Sequence, residues 1–191
     1  AILATDYSEE MINTAKKNLL KNDKKNVIFE VMDNLVMTTK DNYYDVVTAR
    51  HTPTAPTQIF KTLKKGGLLI IRGVDQLDCW SLKRMFKKGQ GYKDKSTIAL
   101  RDYEAVLDAG FKDVELVPIH TREYYETKED LLKLLYKVPI LIDCSEENPD
   151  SFETNPEIDM NILDEYIKDN TYEKGILLIR RYYGITAKKP M

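Results

Sequence analysis

Glycine is scarce in this chain, at 8 of 191 residues; cysteine and histidine occur twice each and tryptophan once. The cysteines, Cys79 and Cys144, stand far apart with no CxxC or Cys/His spacing. That pattern argues against a disulfide framework or a zinc knuckle and reads as two reduced thiols. His51 and His120 have no cysteine or acid cluster at ligand spacing, so no metal site is read. No apolar run approaches the roughly 18 residues of a membrane span. The first residues lack the basic-then-apolar pattern of a signal peptide, and the expected compartment is cytoplasmic. Neither a Gly-x-Ser-x-Gly elbow nor a P-loop occurs. The one Gly-x-Gly, Gly89 to Gly91, follows a helical segment and sits among lysines, the wrong context for a nucleotide-binding glycine loop. An initiator methionine is also missing. The chain opens on Ala1-Ile2-Leu3-Ala4-Thr5-Asp6, already inside an apolar, strand-like run. The expectation is a truncated chain, or an N-terminus lost to disorder or processing.

What is present suits a folded domain. Apolar residues make up 42% of the chain, enough for a sizeable core in one domain over 1–191. Twenty-nine basic and 31 acidic residues nearly cancel, for a formal charge of -2 and a pI of about 5.8. A protein that grips nucleic acid over a whole face is normally far more basic.

Ala1–Thr5 reads as a strand ending at Asp6. Ser8 then stands at an N-cap position with Glu9 and Glu10 in the first turn, and Met11, Ile12, Ala15, Leu19 and Leu20 recur at helical spacing to Asn22. Val27–Val31 and Tyr43–Ala49 read as strands, the second nearly continuous in apolar character. A short helix is expected from Thr57 to Lys64, stopped at Gly66-Gly67, followed by a strand at Leu68–Ile71. Helices are then expected at Leu77–Lys87 and Arg101–Ala109, a strand at Val114–Val117, a helix at Lys128–Tyr136, a surface loop from Asp143 to Glu157, a helix at Ile162–Lys168, and a strand pair or long strand over Gly175–Thr186. Short helices alternating with apolar strands imply an α/β fold, with a mostly parallel sheet covered by helices on both faces. The terminal segment suits an antiparallel edge strand.

In such sheets ligands bind beyond the carboxyl ends of the strands. Asp6 stands at the first of these ends, Asp33 beyond the second, and Arg50 and His51 at the third. A carboxylate at a strand tip can accept from a ribose diol, or simply cap the following helix. Asp33 could accept from the exocyclic amine of an adenine, so that two acids would read one nucleoside at both ends. Tyr7 and Met11 offer surface to a base or to the core.

Five segments carry a resemblance. ILATDYSEEMINTAKKN resembles the second strand and following helix of class I S-adenosylmethionine-dependent methyltransferases, and FEVMDNLVM their adenine-reading segment. YYDVVTARHTPTAPTQIFKTLKKGGLLII resembles the stretch from their fourth strand to their fifth. RDYEAVLDAGFKDVEL resembles their next helix, turn and strand, and YYGITAKKP their terminal strand. The arrangement is closest to the type 11 group. The resemblance implies a Rossmann-like fold and S-adenosylmethionine as cofactor. It gives Asp6 to the ribose hydroxyls, Asp33 and the Asn34 backbone to the adenine, and Arg50 to the methionine end. The family's first strand and glycine-rich loop have no counterpart here, so the central strand of the sheet is expected to be absent.

His51, beside the presumed methyl-transfer region, is the candidate catalytic base; the alternative is a loop histidine bonded to backbone near Pro53. An insertion around residues 120–170, with Tyr124 and Tyr125, is expected to cover the substrate, and Trp80 and Tyr92 could join those tyrosines in an aromatic pocket or in plain packing. Lys83, Arg84, Lys87, Lys88, Lys93 and Lys95 form a local basic patch or a solvated helix face. The leading expectation is methyl transfer to a small molecule. An RNA methyltransferase using the basic patch and a methyltransferase-like binding module without catalysis are the rivals. A dehydrogenase fits the strand-tip acids but not the Lys65-Gly66-Gly67 turn or the terminal segment.

Overall fold

A computed structural model describes residues 1–21, 26–142 and 157–191. The expected loop from Asp143 to Glu157, and Cys144 with it, lies outside the described residues except at its last position. The element order is β1 (Ile2–Asp6), α1 (Glu9–Leu20), β2 (Val27–Val31), β3 (Tyr44–Arg50), α2 (Pro56–Thr62), β4 (Leu63–Val74), α3 (Trp80–Phe86), α4 (Ile98–Asp108), β5 (Lys112–Tyr125), α5 (Lys128–Lys137), α6 (Met160–Asn170), β6 (Thr171–Tyr172) and β7 (Gly175–Lys188).

The chain forms two compact units. The first comprises Ala1–Ile71, Ala105–Val114 and Thr186–Met191; the second comprises Arg72–Glu104 and Glu115–Ile185.

In the first unit β1 and β2 pair in parallel, with Ile2 opposite Val27 and Asp6 opposite Val31. Helix α1 connects them. Ser8 caps it, its hydroxyl accepting from Met11 N at 3.3 Å, with Glu9 and Glu10 in the first turn where the helix dipole favours acids. The helix buries little beyond Ile12. Strand β3 runs parallel to β4. Tyr43 N donates to Thr62 O at 2.8 Å, and Asp45 O lies beside Gly67. Phe60 on α2 meets Phe111 edge-on at 5.1 Å.

The expected stop at Gly66-Gly67 does not occur. Pro56 opens α2 at its first position, and the helix ends at Thr62 and passes straight into β4. Gly66 lies inside the strand at φ +74, the left-handed region that glycine enters without a Cβ penalty. The two glycines lie within a strand rather than ending a helix.

The strand order is β3-β4-β7-β5, with β6 paired to β7, and β1-β2 stands as a separate two-stranded sheet. Strand β7 is antiparallel to β4. Gly66 N donates to Lys189 O in the first unit, and Asp75 N donates to Arg181 O in the second. The terminal strand is therefore antiparallel, as expected, but it is an interior strand and not an edge. Every second residue along most of β7 is buried. The edge is β5, which is longer than expected and carries Pro118, tolerated where no ladder bond is needed. Among the described residues β1 pairs only with β2 and β3 only with β4, so each has one unpaired edge.

The core of the second unit gathers Cys79, Leu82, Leu131, Leu135, Leu163, Tyr166 and Leu178. Thr127 caps α5 through Asp130 N at 3.1 Å, and Asp159 caps α6 through Asn161 N at 2.9 Å. Those caps aim Leu131 and Leu135 on one helix, and Leu163 and Tyr166 on the other, into the cluster. The Tyr166 hydroxyl, inside that apolar set, donates to Leu177 O at 2.9 Å, which satisfies a polar group that burial would otherwise penalise.

Two sequence expectations change here. Tyr124 and Tyr125 belong to β5, as does His120, so the segment between strands starts only after Tyr125. Lys83 leaves the basic patch. It is 2% exposed, and its ammonium donates to Gln76 O at 2.7 Å and Gln90 O at 2.9 Å. Burial lowers its pKa, against the pull of Asp78 and other nearby acids.

Candidate functional site

The strand tips of the first unit hold most of the expected site. Asp6 closes β1 opposite Val31, and Met32 N donates to Asp6 O at 3.0 Å, one step beyond the strand. Asp33 follows directly, so the two acids stand at the carboxyl ends of neighbouring parallel strands. Each turns its own chain. Asp6 Oδ1 accepts from Ser8 N and Asp33 Oδ1 accepts from Leu35 N, both at 2.8 Å. These are side-chain turns of the kind aspartate favours. Each leaves a second carboxylate oxygen open to a ligand among the described residues.

Tyr7 follows Asp6, and Met11 lies in the first turns of α1. They are 78% and 57% exposed, which removes the alternative that they pack in the core. Arg50 ends β3 with an exposed side chain. His51 follows at φ +51. A non-glycine residue in that region carries a cost on the order of 1 kcal/mol or more, and such residues cluster at functional sites.

Asn34 does more than its backbone role implied. Its Nδ2 donates to Thr52 Oγ1 at 2.8 Å, and its Oδ1 accepts from Thr5 Oγ1 at 3.3 Å. One side chain thus joins β1, the turn after β2 and the loop after β3. Gln58 on α2 supports the same turn. Its Oε1 accepts from Met37 N at 2.8 Å and its Nε2 donates to Leu35 O. Neither Gln58 nor the two threonines was singled out from the sequence. Gln58 stands on a short helix that also carries Thr57, Lys61 and Thr62, so its polarity gave no signal.

The expected aromatic pocket is not a single feature. In the second unit Trp80 and Tyr92 lie ring to ring at 5.4 Å. The Tyr125 hydroxyl donates to Glu123 at 2.8 Å. Tyr124 lines a shallow depression of about 560 Å³ with Tyr172, Leu177 and Ile179. His120 is an exposed residue of β5. No group of three or more His, Cys, Asp or Glu that could hold a metal occurs among the described residues. No described helix is long and apolar enough to cross a membrane.

Acids at strand tips, on an α/β fold with an antiparallel final strand, are an arrangement that nucleoside-binding folds use. The comparison with known families makes this specific: residues 1–137 match the family described as a methyltransferase domain, and the chain belongs to that family. The methyl donor of these enzymes is S-adenosylmethionine. Solved structures agree in fold. A putative methyltransferase from Bacillus halodurans is 18% identical with a TM-score of 0.59, over 100% of this chain and 84% of that one. The YcgJ protein of Bacillus subtilis is 14% identical at 0.57, over 99% and 82%. The [4+2]-cyclase SpnF is 15% identical at 0.52, over 99% and 66%. A search of the curated proteins returns no match. The fold alone does not choose the reaction, as the cyclase illustrates; the site must.

Proposed function

We propose that the tips of β1, β2 and β3 form the donor site of a methyltransferase acting on a small-molecule acceptor. Asp6 takes the ribose hydroxyls, Asp33 the adenine amine, and Tyr7 and Met11 the faces of the base. Arg50 lies toward the methionine end. The observation that carries this reading is the placement of Asp6 and Asp33 at adjacent parallel strand ends, each with one oxygen engaged by its own turn. The residues fit the adenosine part of the donor: two open acceptors, a flat ring and a soft thioether, all accessible. When bound, the donor supplies an electrophilic methyl group on a sulfonium. The chain's own contribution is to hold and orient the partners, which is the larger part of catalysis for a transfer of this kind.

His51 is the proposed general base, accepting a proton from a hydroxyl or amine acceptor. Its position one residue before Thr52, which the Asn34 side chain ties to the turn bearing Asp33, supports that role. A small acceptor is favoured over RNA by the near-balanced charge and by the burial of Lys83, which thins the one basic patch.

The test is equilibrium binding and turnover with labelled S-adenosylmethionine. Asp6→Ala is expected to weaken donor binding by roughly 1.5–3 kcal/mol, the scale of hydrogen bonds to a charged group. His51→Ala is expected to slow transfer more than it weakens binding. Unchanged affinity in the first variant removes the ribose role, and an unchanged rate in the second makes His51 a bystander.

A further inference from the structure

We propose that Asn34 is a positioning residue: its side-chain amide links the strand tip bearing Asp33 to the loop bearing His51, so that filling the nucleoside end of the site resets the His51 imidazole. This rests on the donor-site reading above. Asn34 adjoins Asp33, Thr5 adjoins Asp6, and Thr52 adjoins His51. The Asn34 amide bonds both threonines, donating to Thr52 Oγ1 at 2.8 Å and accepting from Thr5 Oγ1 at 3.3 Å. One planar group therefore touches the immediate neighbour of each proposed reader and of the proposed base.

The link is stiff. An amide bonded at both ends is held in place, and the Asp33 carboxylate already fixes the turn that carries it, through Leu35 N at 2.8 Å. A ligand held by the open oxygen of the Asp33 carboxylate pulls on that turn and shifts Asn34 with it. Thr52 moves with Asn34, and His51 lies one residue before Thr52. His51 is held at φ +51, a conformation that relaxes when a restraint beside it is removed. The Thr52 anchor is such a restraint. Coupling here means two sites biasing one shared element, and the element is this amide bridge.

The experiment follows the His51 Cε1–H signal by NMR in the 191-residue chain during titration with adenosine. Adenosine lacks the methionine portion of the donor, so a change at His51 is transmitted through the protein. A His51→Ala spectrum separates its signal from that of His120. Binding is read independently from the amides of Asp6, Tyr7, Asp33 and Asn34. The expected result is a His51 shift in the native chain that is lost in Thr52→Val and returns in Thr52→Ser, while the tip amides respond in all three. Asn34→Asp is expected to keep the response, because a carboxylate can accept from both threonine hydroxyls; Asn34→Leu is expected to lose it. A His51 shift that survives in Thr52→Val overturns the inference. So does a silent His51 in a native chain whose tip amides respond. Silent tip amides overturn the nucleoside reading itself, and this inference with it.

Discussion

Arg180→Met is expected to destabilise the second unit by about 3–5 kcal/mol, the cost of leaving one partner of a buried ion pair alone. Asp78 and Arg180 are 3% and 6% exposed. Arg180 Nε donates to Asp78 Oδ1 at 3.0 Å and to Oδ2 at 3.2 Å, and Nη2 donates to Oδ2 at 3.1 Å. Asp78 Oδ1 also accepts from Arg181 N at 2.7 Å, and Arg180 Nη1 reaches Glu123 at 3.4 Å. Burial works against the guanidinium charge, but the bonded Asp78 carboxylate outweighs it and raises the Arg180 pKa. Removing the arginine strands a carboxylate where water does not reach. Replacing both partners in Arg180→Met with Asp78→Leu is expected to recover most of the loss, though not all, because Arg181 N then lacks its acceptor. Urea unfolding of the two single variants and the double variant decides. A double variant no more stable than Arg180→Met would show that the stranded charge is not the source of the cost.

Gly73→Ala carries the second large effect. A Cβ at Gly73 would lie 2.0 Å from Tyr183 Cζ and 2.1 Å from its hydroxyl oxygen, inside any tolerable contact. Tyr183 is buried, and its hydroxyl donates to Asp102 on α4. The ring cannot give way without breaking that bond, and the expected cost is about 3 kcal/mol or more, at the upper end for overpacking. Tyr183→Leu should remove the obstacle. The same Gly73→Ala change is then expected to cost much less in that background, and an equal cost in both backgrounds would place its cause elsewhere. The two substitutions touch, so additivity between them is not expected.

The parts of the fold that were legible in the sequence are those with local causes. Ser8 with two glutamates marked the start of α1, and the β-branched run around Val46 and Val47 marked β3. The strand tips followed from those elements, which is why Asp6, Asp33 and His51 could be named in advance. What escaped depends on distant partners. Gly66-Gly67 reads as a helix stop until β7 is seen beside it. The length of β5 is hidden because charged residues interrupt its apolar ones and because Pro118 reads as a break. Lys83 reads as a surface cation, since nothing local tells that Gln76 and Gln90 offer it their carbonyls. Asp78 and Arg180 are 102 residues apart in sequence, and no periodicity joins them. Asn34 was assigned a backbone role because its threonine partners come from two other segments.

Family membership rests on the match over residues 1–137, and the reading of the site rests on two acids at neighbouring strand ends. The most direct measurement compares the binding of adenosine and 2′-deoxyadenosine by calorimetry in the native chain, Asp6→Ala and Asp33→Ala. If Asp6 holds the ribose diol, the native chain prefers adenosine by roughly tenfold or more, Asp33→Ala keeps that preference, and Asp6→Ala loses it. Equal binding of both nucleosides by the native chain, or a preference that survives in Asp6→Ala, would contradict the assignment.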